Sequence, residues 1–367
     1  MLLIGQHNYT TTPTYNFPPQ IEELQLPQTF IELSLNSMKN IEGNYLQPNQ
    51  TTLNQPTTEH IADATPIMKI QHPQTIKTIP LEHNQNAKPV VAVDVSSIRI
   101  GETERGILCA IRGAIVWKEK SRYRYQRIGP FPFHITEQNK KEIHKLFRNH
   151  NLEIPEDNRI PNIDNIQTRI GTLLERWLQL GISCSAYGTI ILWDGSMTAG
   201  MADSPIDEMS RLLEIARNRL STVLAFSKNT TLRFSGHKLT DYAEKAEPPC
   251  LLQINGFPIP SGPVLLLGNV YVAKLTPGVC SFRLDIDRKV PRERAIEAVQ
   301  SLLGSDLLTQ SYPETLRLAH IYSTFTATEV IGIQRFIAQQ YGLKIVTRPN
   351  VRRLLFGPFG KGSEGYQ

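Results

Sequence analysis

The stretch Lys88–Gly101, KPVVAVDVSSIRIG, places one acidic residue in what otherwise reads as a buried β-strand. A short continuous apolar run such as Val90–Val93 is typical of a strand covered on both faces. A carboxylate is costly to bury without a partner. We therefore interpret Asp94 as lying at the exposed end of a central strand, where the sheet holds it rigidly.

A second apolar strand, in GTIILWDGS, ends in the same way, at Asp194 and Gly195. If the two strands are close in one sheet, their carboxylates converge and repel, and a divalent cation resolves that repulsion. Such a site holds one or two Mg²⁺ or Mn²⁺ ions, which stabilise the oxygens of a phosphodiester displacement. The alternative for each aspartate is a helix cap or a turn.

The order of elements from Val90 onward predicts an α/β or α+β core. Three strands come first, in VVAVDVSS, RGILCAIRGAIVWKEK and RYRYQRIGPF, and suggest a meander. Helices and strands then alternate, and helices close the chain. The last helical region is interrupted near Ser323–Thr328, where β-branched and hydroxyl residues weaken a helix. Together these elements make a folded core of about 260 residues.

The two ends of the chain differ from this core. Residues 1–87 are rich in Gln, Asn, Thr and Pro and predict a partly disordered arm, with one short helix in QTFIELSLNSMKNIE. We assign residues 88–350 to the folded domain and residues 351–367 to a glycine-rich basic tail. The tail lacks the spacing of a phosphate-binding loop.

Composition argues for a cytoplasmic protein with no membrane partner. No run approaches the roughly 20 apolar residues that cross a bilayer, and the N-terminus has no basic flank typical of a signal peptide. The four cysteines are far apart and form no CxxC pair, which favours reduced thiols over disulfides or a zinc site.

Positive charge is concentrated between residues 99 and 150, which hold 12 Lys and Arg against 5 acidic residues. In this segment Arg122, Arg124 and Arg127 are interleaved with tyrosines. Strand alternation would place arginines on one face and tyrosines on the other, an arrangement that suits a phosphate backbone and stacked bases. An amphipathic strand with a solvated basic face is the alternative.

Two further residues are candidates for the same chemistry. Glu175 borders the apolar stripe of a helix and is a candidate third metal ligand, or else a rim glutamate paired with a nearby arginine. His320 lies in the apolar helix of SYPETLRLAHIYS, where it would position or deprotonate a water molecule or ligate the metal. A histidine buried in the core is the alternative.

These motifs, in this order, resemble those of the NurA nucleases. The segments are VAVDVSS, LLERWLQLG before TIILWDGS, LAFSK, FRLDI and SYPETLRLAH, and they span about residues 88 to 343. The resemblance implies an RNase H-like mixed sheet flanked by helices. It also implies a manganese-dependent deoxyribonuclease that uses two ions, acts on DNA ends in repair, and forms a homodimer partnered by a HerA-like hexameric ATPase.

The resemblance also assigns roles to residues of this chain. Asp94, Glu175 and Asp194 would form the carboxylate cluster, and His320 would be the catalytic histidine. Tyr312 and Lys228 match a tyrosine and a lysine of the family motifs, and the lysine would contact the scissile phosphate. Val95 departs from the family's Asp-Gly-Ser, and a β-branched residue does not easily adopt a positive φ.

Three functions remain open at this stage. The leading hypothesis is a metal-dependent DNA nuclease with 5′-to-3′ exonuclease activity and single-strand endonuclease activity. The second is a catalytically weak nucleic-acid-binding adaptor of a DNA motor on the same fold, which the Val95 departure favours. The third is another RNase H-like enzyme that acts on RNA or on a recombination junction.

Overall fold

The structure is a computed structural model in which most of the predicted core is described. It describes residues 28–39, 41, 45–48, 68–69, 75–84, 86–149, 162–200, 204–230, 232–234, 237–255, 259–260 and 264–346. The tail at 351–367 and much of the N-terminal arm lie outside these residues. None of the helices in the described part has the length and apolar character that crossing a bilayer requires.

Seven α-helices are described. They are α1 Gln28–Lys39, α2 Lys140–Asn149, α3 Ile163–Ser185, α4 Ile206–Asn218, α5 Arg292–Ser305, α6 Glu314–Ser323 and α7 Ala327–Gln340. The break between α6 and α7 falls in the hydroxyl-rich segment where it was predicted, and Thr326 begins α7 by accepting a hydrogen bond from the Glu329 amide. Such a cap stabilises the start of a new helix, so the chain bends here.

One large sheet contains eleven strands. They are β1 Tyr45–Pro48, β2 Thr75–Pro80, β3 Val90–Glu102, β4 Gly106–Glu119, β5 Arg122–Thr136, β6 Ile190–Asp194, β7 Thr222–Ser227, β8 Cys250–Asn255, β9 Gly268–Lys274, β10 Phe282–Asp287 and β11 Lys344–Ile345. Short two-residue strands pair at Met68–Lys69 with Ile259–Pro260, Thr198–Ala199 with Leu265–Leu266, Arg233–Phe234 with His237–Lys238, and Leu308–Thr309 with Tyr312–Pro313.

The five central strands confirm the predicted RNase H-like fold. Strands β3, β4 and β5 form an antiparallel meander, and β6 and β7 run parallel to β3. Their spatial order is β5-β4-β3-β6-β7, which is the order of the RNase H-like core. Strands β10, β9, β8 and β2 extend the sheet beyond β7, and β1 and β11 extend it beside the far end of β3.

The two faces of the central sheet carry separate apolar clusters, because successive strand residues point to opposite sides. Val91, Val93 and Val95 belong to the cluster that includes α1, α3 and α4, and we call this side the α3 face. Val90 and Ala92 belong to the cluster that includes α5 and α6, and we call this side the α6 face. The strand is therefore covered on both sides, as its continuous apolar sequence predicted.

Helix α1 and strands β1 and β2 of the N-terminal arm belong to this core. The predicted short helix is confirmed as α1, whose fully buried Phe30 makes edge contacts with the rings of Phe131, Phe133 and Trp177. Strand β2 forms an edge of the large sheet by pairing with β8. The domain boundaries drawn from the sequence stay a prediction.

Candidate active site

Asp94 and Asp194 lie side by side on the α6 face. The parallel strands β3 and β6 are in register at Val93 and Trp193, so the next residues, Asp94 and Asp194, are neighbours. Alternation then points both carboxylates to the side that carries Val90 and Ile190. The convergence predicted from two apolar strands follows from this register.

The expectation that Asp94 ends its own strand is wrong. Strand β3 continues to Glu102, and the strand that ends at this level is its neighbour β6, at Asp194. Farther along β3, strand β1 pairs only with Gly101 and Glu102. Asp94 therefore lies inside the long strand β3, at the level where the neighbouring strand β6 ends. Strand β3 holds the carboxylate rigidly, and the end of β6 leaves it accessible to a ligand.

The structure also shows that Val95 does not need the positive φ that a β-branched residue disfavours. That residue lies within the extended β3 strand and is buried on the α3 face, so a branched side chain suits it. The glycine that the site does use is Gly195, whose φ of +108° turns the chain away directly after Asp194.

Helix α6 brings His320 to the two aspartates. The helix packs on the α6 face through Leu316 and Ala319, and its His320 Nδ1 lies 3.4 Å from Asp94 Oδ2. Carboxylate oxygens of Asp94 and Asp194 and a ring nitrogen of His320 all lie within 4.8 Å of one another. Among the described residues, these three therefore form a cluster with the spacing of a metal site.

Charge and burial shift the pKa values in this cluster. Burial, followed by the adjacent Asp94 carboxylate, raises the pKa of Asp194 above its ordinary value, although Lys228 opposes the shift. The Asp94 carboxylate raises the pKa of His320 despite the partial burial of the ring. The Asp94 carboxylate contributes to both shifts, and a bound cation would offset its negative charge.

Lys228 and Tyr312 lie next to the cluster, and their functional roles stay a prediction. Lys228 follows β7, and its Nζ lies 2.7 Å from Asp194 Oδ2 and 5.8 Å from the centre of the Tyr312 ring. The Tyr312 ring is buried and packs edge-on against Phe226 and Phe282. The Lys228 ammonium group thus lies between the Asp194 carboxylate and the Tyr312 ring.

Glu175 lies outside the cluster of three. It belongs to α3, which covers the opposite face of the sheet. Its Oε1 accepts a hydrogen bond from Gln179 at 3.0 Å, and Gln179 in turn accepts one from Arg176. Its role as a metal ligand stays a prediction.

The three predicted arginines do not share a face, which corrects the alternation expected from the sequence. Arg127 lies four residues after Tyr123 and therefore on the same face of β5 as the tyrosines. Its guanidinium lies 5.5 Å from the centre of the Tyr322 ring, and that ring stacks on Tyr125. It also contacts Glu329 at 3.4 Å. Arg122 and Arg124 lie on the other side of β5. Their contact with nucleic acid stays a prediction.

Sequence reasoning missed Ser323 as a site residue. Its hydroxyl donates a hydrogen bond to Asp94 Oδ2. The available signal was its spacing, because residues three apart on a helix share a face and Ser323 follows His320 by three. The sequence pattern alone indicates the serine only as part of the helix interruption.

Comparisons with known proteins gave matches among solved structures. No protein-family model matches this chain. No curated protein matches it either. Among solved structures, the NurA nuclease from Sulfolobus solfataricus is 16% identical with a TM-score of 0.43, over 71% of this chain and 86% of that one.

Two endonuclease V structures are also similar to the chain. The Bacillus subtilis enzyme is 12% identical with a TM-score of 0.34, over 72% of this chain and 88% of that one. The Ciona intestinalis enzyme, solved with a 24mer DNA that contains inosine, is 14% identical with a TM-score of 0.32, over 68% of this chain and 89% of that one.

Proposed function

We propose that this protein is a metal-dependent nuclease that hydrolyses phosphodiester bonds in DNA. The observation that carries the proposal is the cluster of Asp94, Asp194 and His320, whose ligand atoms lie within 4.8 Å of one another. The cluster stands where β6 ends beside the open edge of β3, on a central sheet with RNase H-like strand order.

The donor set fits Mn²⁺ or Mg²⁺. Two carboxylates suit either ion, and the imidazole favours Mn²⁺ over Mg²⁺. Asp94, Asp194 and His320 would hold the metal, with Glu175 as a further candidate, and two ions are the number that the resemblance implies. When bound, the metal would supply Lewis-acid stabilisation of the negative charge that develops at the scissile phosphate.

The protein groups around the cluster have complementary roles in this proposal. The Asp94 carboxylate faces His320 Nδ1 and thereby orients the ring. Nε2 is then the nitrogen that would hold the metal or, where the two carboxylates hold it alone, exchange a proton with the attacking water. Lys228 carries a positive charge at the edge of the cluster and would contact the scissile phosphate. Tyr312 would keep the lysine in place through its ring.

The family resemblance implies further properties of this nuclease. They are 5′-to-3′ exonuclease and single-strand endonuclease activity on DNA ends in repair, a homodimer, and cooperation with a HerA-like hexameric ATPase in the cytoplasm. The adaptor alternative loses the observation that favoured it, because Val95 fits its strand without a positive φ.

Cleavage of end-labelled DNA tests the proposal. Full-length protein is incubated with 5′-labelled and 3′-labelled DNA, and with RNA of the same sequence, in Mn²⁺, Mg²⁺ or EDTA. We expect DNA cleavage that EDTA abolishes and that Asp94→Ala reduces about 100- to 1,000-fold, because a ligand to the metal is lost. Asp207→Ala, at an exposed aspartate on α4, is the matched control.

The cleavage results distinguish the three candidate functions. Metal-dependent cleavage retained by Asp207→Ala and lost by Asp94→Ala supports the nuclease and the position of its metal. Folded wild-type protein that cleaves neither substrate in any metal would contradict the enzyme and support the adaptor. Equal cleavage of RNA and DNA would support the third alternative instead.

A further inference from the structure

Ser323 is a fully buried serine at the last position of α6. Its relative exposure is 0%, and its hydroxyl donates to Oδ2 of Asp94, which is itself 7% exposed. The serine stands one helical turn after His320. A buried hydroxyl and a buried carboxylate from elements 229 residues apart in sequence thus meet beside the candidate metal site.

The hydroxyl has two possible acceptors but only one proton. Ser323 Oγ also lies 2.9 Å from the main-chain oxygen of His320, the usual acceptor for a serine near a helix end. A hydrogen bond to a carboxylate is charge-assisted and roughly twice as strong as a neutral one. The proton is therefore directed to Asp94, and the end of the helix is tied to the carboxylate.

Both contacts of Asp94 use the same oxygen. Ser323 Oγ and His320 Nδ1 each approach Oδ2, and within the described residues no hydrogen bond or ion pair reaches Oδ1. Two contacts on one oxygen restrict rotation of the carboxylate. The second oxygen is then left to face a cation.

The segment after Ser323 is fixed to the sheet. Arg112, which is 5% exposed on β4, donates to the Thr324 carbonyl at 3.2 Å and pairs with Glu329 at 3.0 Å. Its guanidinium also lies 4.2 Å from the centre of the Phe325 ring. These contacts hold the junction of α6 and α7, and therefore Ser323, in place before any ligand binds.

We propose that Ser323 is a positioning residue that orients the Asp94 carboxylate for the divalent cation and so sets the affinity of the site for that cation. This inference rests on the proposed function. Groups that hydrogen-bond to metal ligands fix the ligands' orientation, and their loss typically weakens metal affinity by about 10- to 100-fold.

Binding of Mn²⁺ to the full-length protein tests the inference without any cleavage assay. Free Mn²⁺ is measured by electron paramagnetic resonance in titrations of wild type, Ser323→Ala and Ser301→Ala. Ser301 is the matched control because it is also fully buried, and its hydroxyl accepts a hydrogen bond from Asn84 Nδ2 at 3.3 Å. We expect about 10- to 100-fold weaker binding for Ser323→Ala and unchanged binding for Ser301→Ala.

A conservative variant separates positioning from packing. Ser323→Cys is somewhat larger than serine but keeps a weak donor, so we expect an affinity between those of wild type and Ser323→Ala. In an Asp94→Ala background, Ser323→Ala should weaken binding no further. Binding by Ser323→Ala that is within twofold of wild type, or tighter, would overturn the inference.

Failure of the proposed function has a different signature. If wild-type protein binds no Mn²⁺, the nuclease proposal fails, and the positioning contact is then tested by urea unfolding in EDTA. A double-mutant cycle of Ser323→Ala with Asp94→Ala should show non-additive effects on the free energy of unfolding, which supports the contact. Additive effects would contradict it.

Discussion

The two faces of the central sheet each carry buried aspartates, but their charges are balanced in different ways. On the α3 face, Asp285 is 1% exposed and receives two hydrogen bonds from Arg283, both at 2.7 Å, and one from the Met197 amide at 2.9 Å. On the α6 face, Asp94 and Asp194 face each other, with one lysine and one histidine nearby.

This difference separates a structural charge from a functional one. A carboxylate with a bidentate arginine and a main-chain donor has its hydrogen-bonding capacity largely met, so it has little capacity left for a ligand. Two adjacent carboxylates with a raised pKa on one of them keep that capacity. Burial alone does not distinguish them, because Asp285 and Asp94 are both buried.

The largest expected effect is on stability, at Asp285 on the α3 face. Asp285→Ala leaves Arg283 buried without its partner and should lower the free energy of unfolding by about 3–5 kcal/mol. Urea unfolding followed by circular dichroism measures it, with the exposed Asp207→Ala as control at less than about 1 kcal/mol. A loss below about 1 kcal/mol for Asp285→Ala would remove the distinction between the two faces.

The next effect is at Asp194 on the α6 face, where a substitution should reduce activity but not stability. Asp194→Asn should reduce metal-dependent cleavage about 100-fold, because one ligand charge is lost. In EDTA the same variant should unfold at an equal or higher urea concentration, because it removes a carboxylate that burial and Asp94 disfavour. A marked loss of stability would show that Asp194 is a structural residue.

Two histidines extend the comparison to pH. Burial lowers the pKa of His134 to about 4, whereas the Asp94 carboxylate raises the pKa of His320. The unfolded chain therefore binds a proton at residue 134 more readily than the folded one. The stability that this histidine contributes is present above about pH 6.5 and is lost as the pH falls towards 4, by roughly 2–3 kcal/mol.

Urea midpoints between pH 7 and pH 4.5 check this dependence. His134→Asn should flatten the profile relative to wild type. The same substitution at the exposed His237 should leave the profile unchanged. Parallel profiles for wild type and His134→Asn would assign the acid sensitivity to other groups.

The smallest effect concerns the arginines of β5. If Arg122 and Arg124 contact phosphates, replacing both by alanine should reduce the slope of log affinity against log salt by about 2. Arg127→Ala should change the slope less, because its guanidinium is already paired with Glu329. Fluorescence anisotropy with labelled DNA at several salt concentrations measures each slope, and identical slopes for all variants would place these arginines away from DNA.

Much of the site was predictable from local pattern. The apolar strands that contain Asp94 and Asp194 imply an acid held by a rigid sheet, and SYPETLRLAHIYS implies a helix that carries His320. Strand alternation could also have placed Arg127 with the tyrosines, since 123, 125 and 127 share one face. The arginine assignment was therefore wrong for a reason visible in the sequence.

Other features depended on contacts between distant segments. The end of β6, not the end of β3, opens the edge at Asp94, and strand pairing decides that. Ser323 meets Asp94 across 229 positions, and the placement of α6 decides that. Glu175 lies on a helix of the opposite face, which the apolar stripe of α3 alone did not reveal.

The sequence by itself determined the elements of the central sheet, their order and the residues able to ligate a metal, because periodicity and side-chain chemistry are local properties. Only the tertiary structure decided which of those residues converge and which are neutralised. The physical reason is that strand register and helix docking set distances between charges. Two adjacent carboxylates repel each other and therefore favour binding of a cation, whereas a carboxylate paired with an arginine is already neutralised.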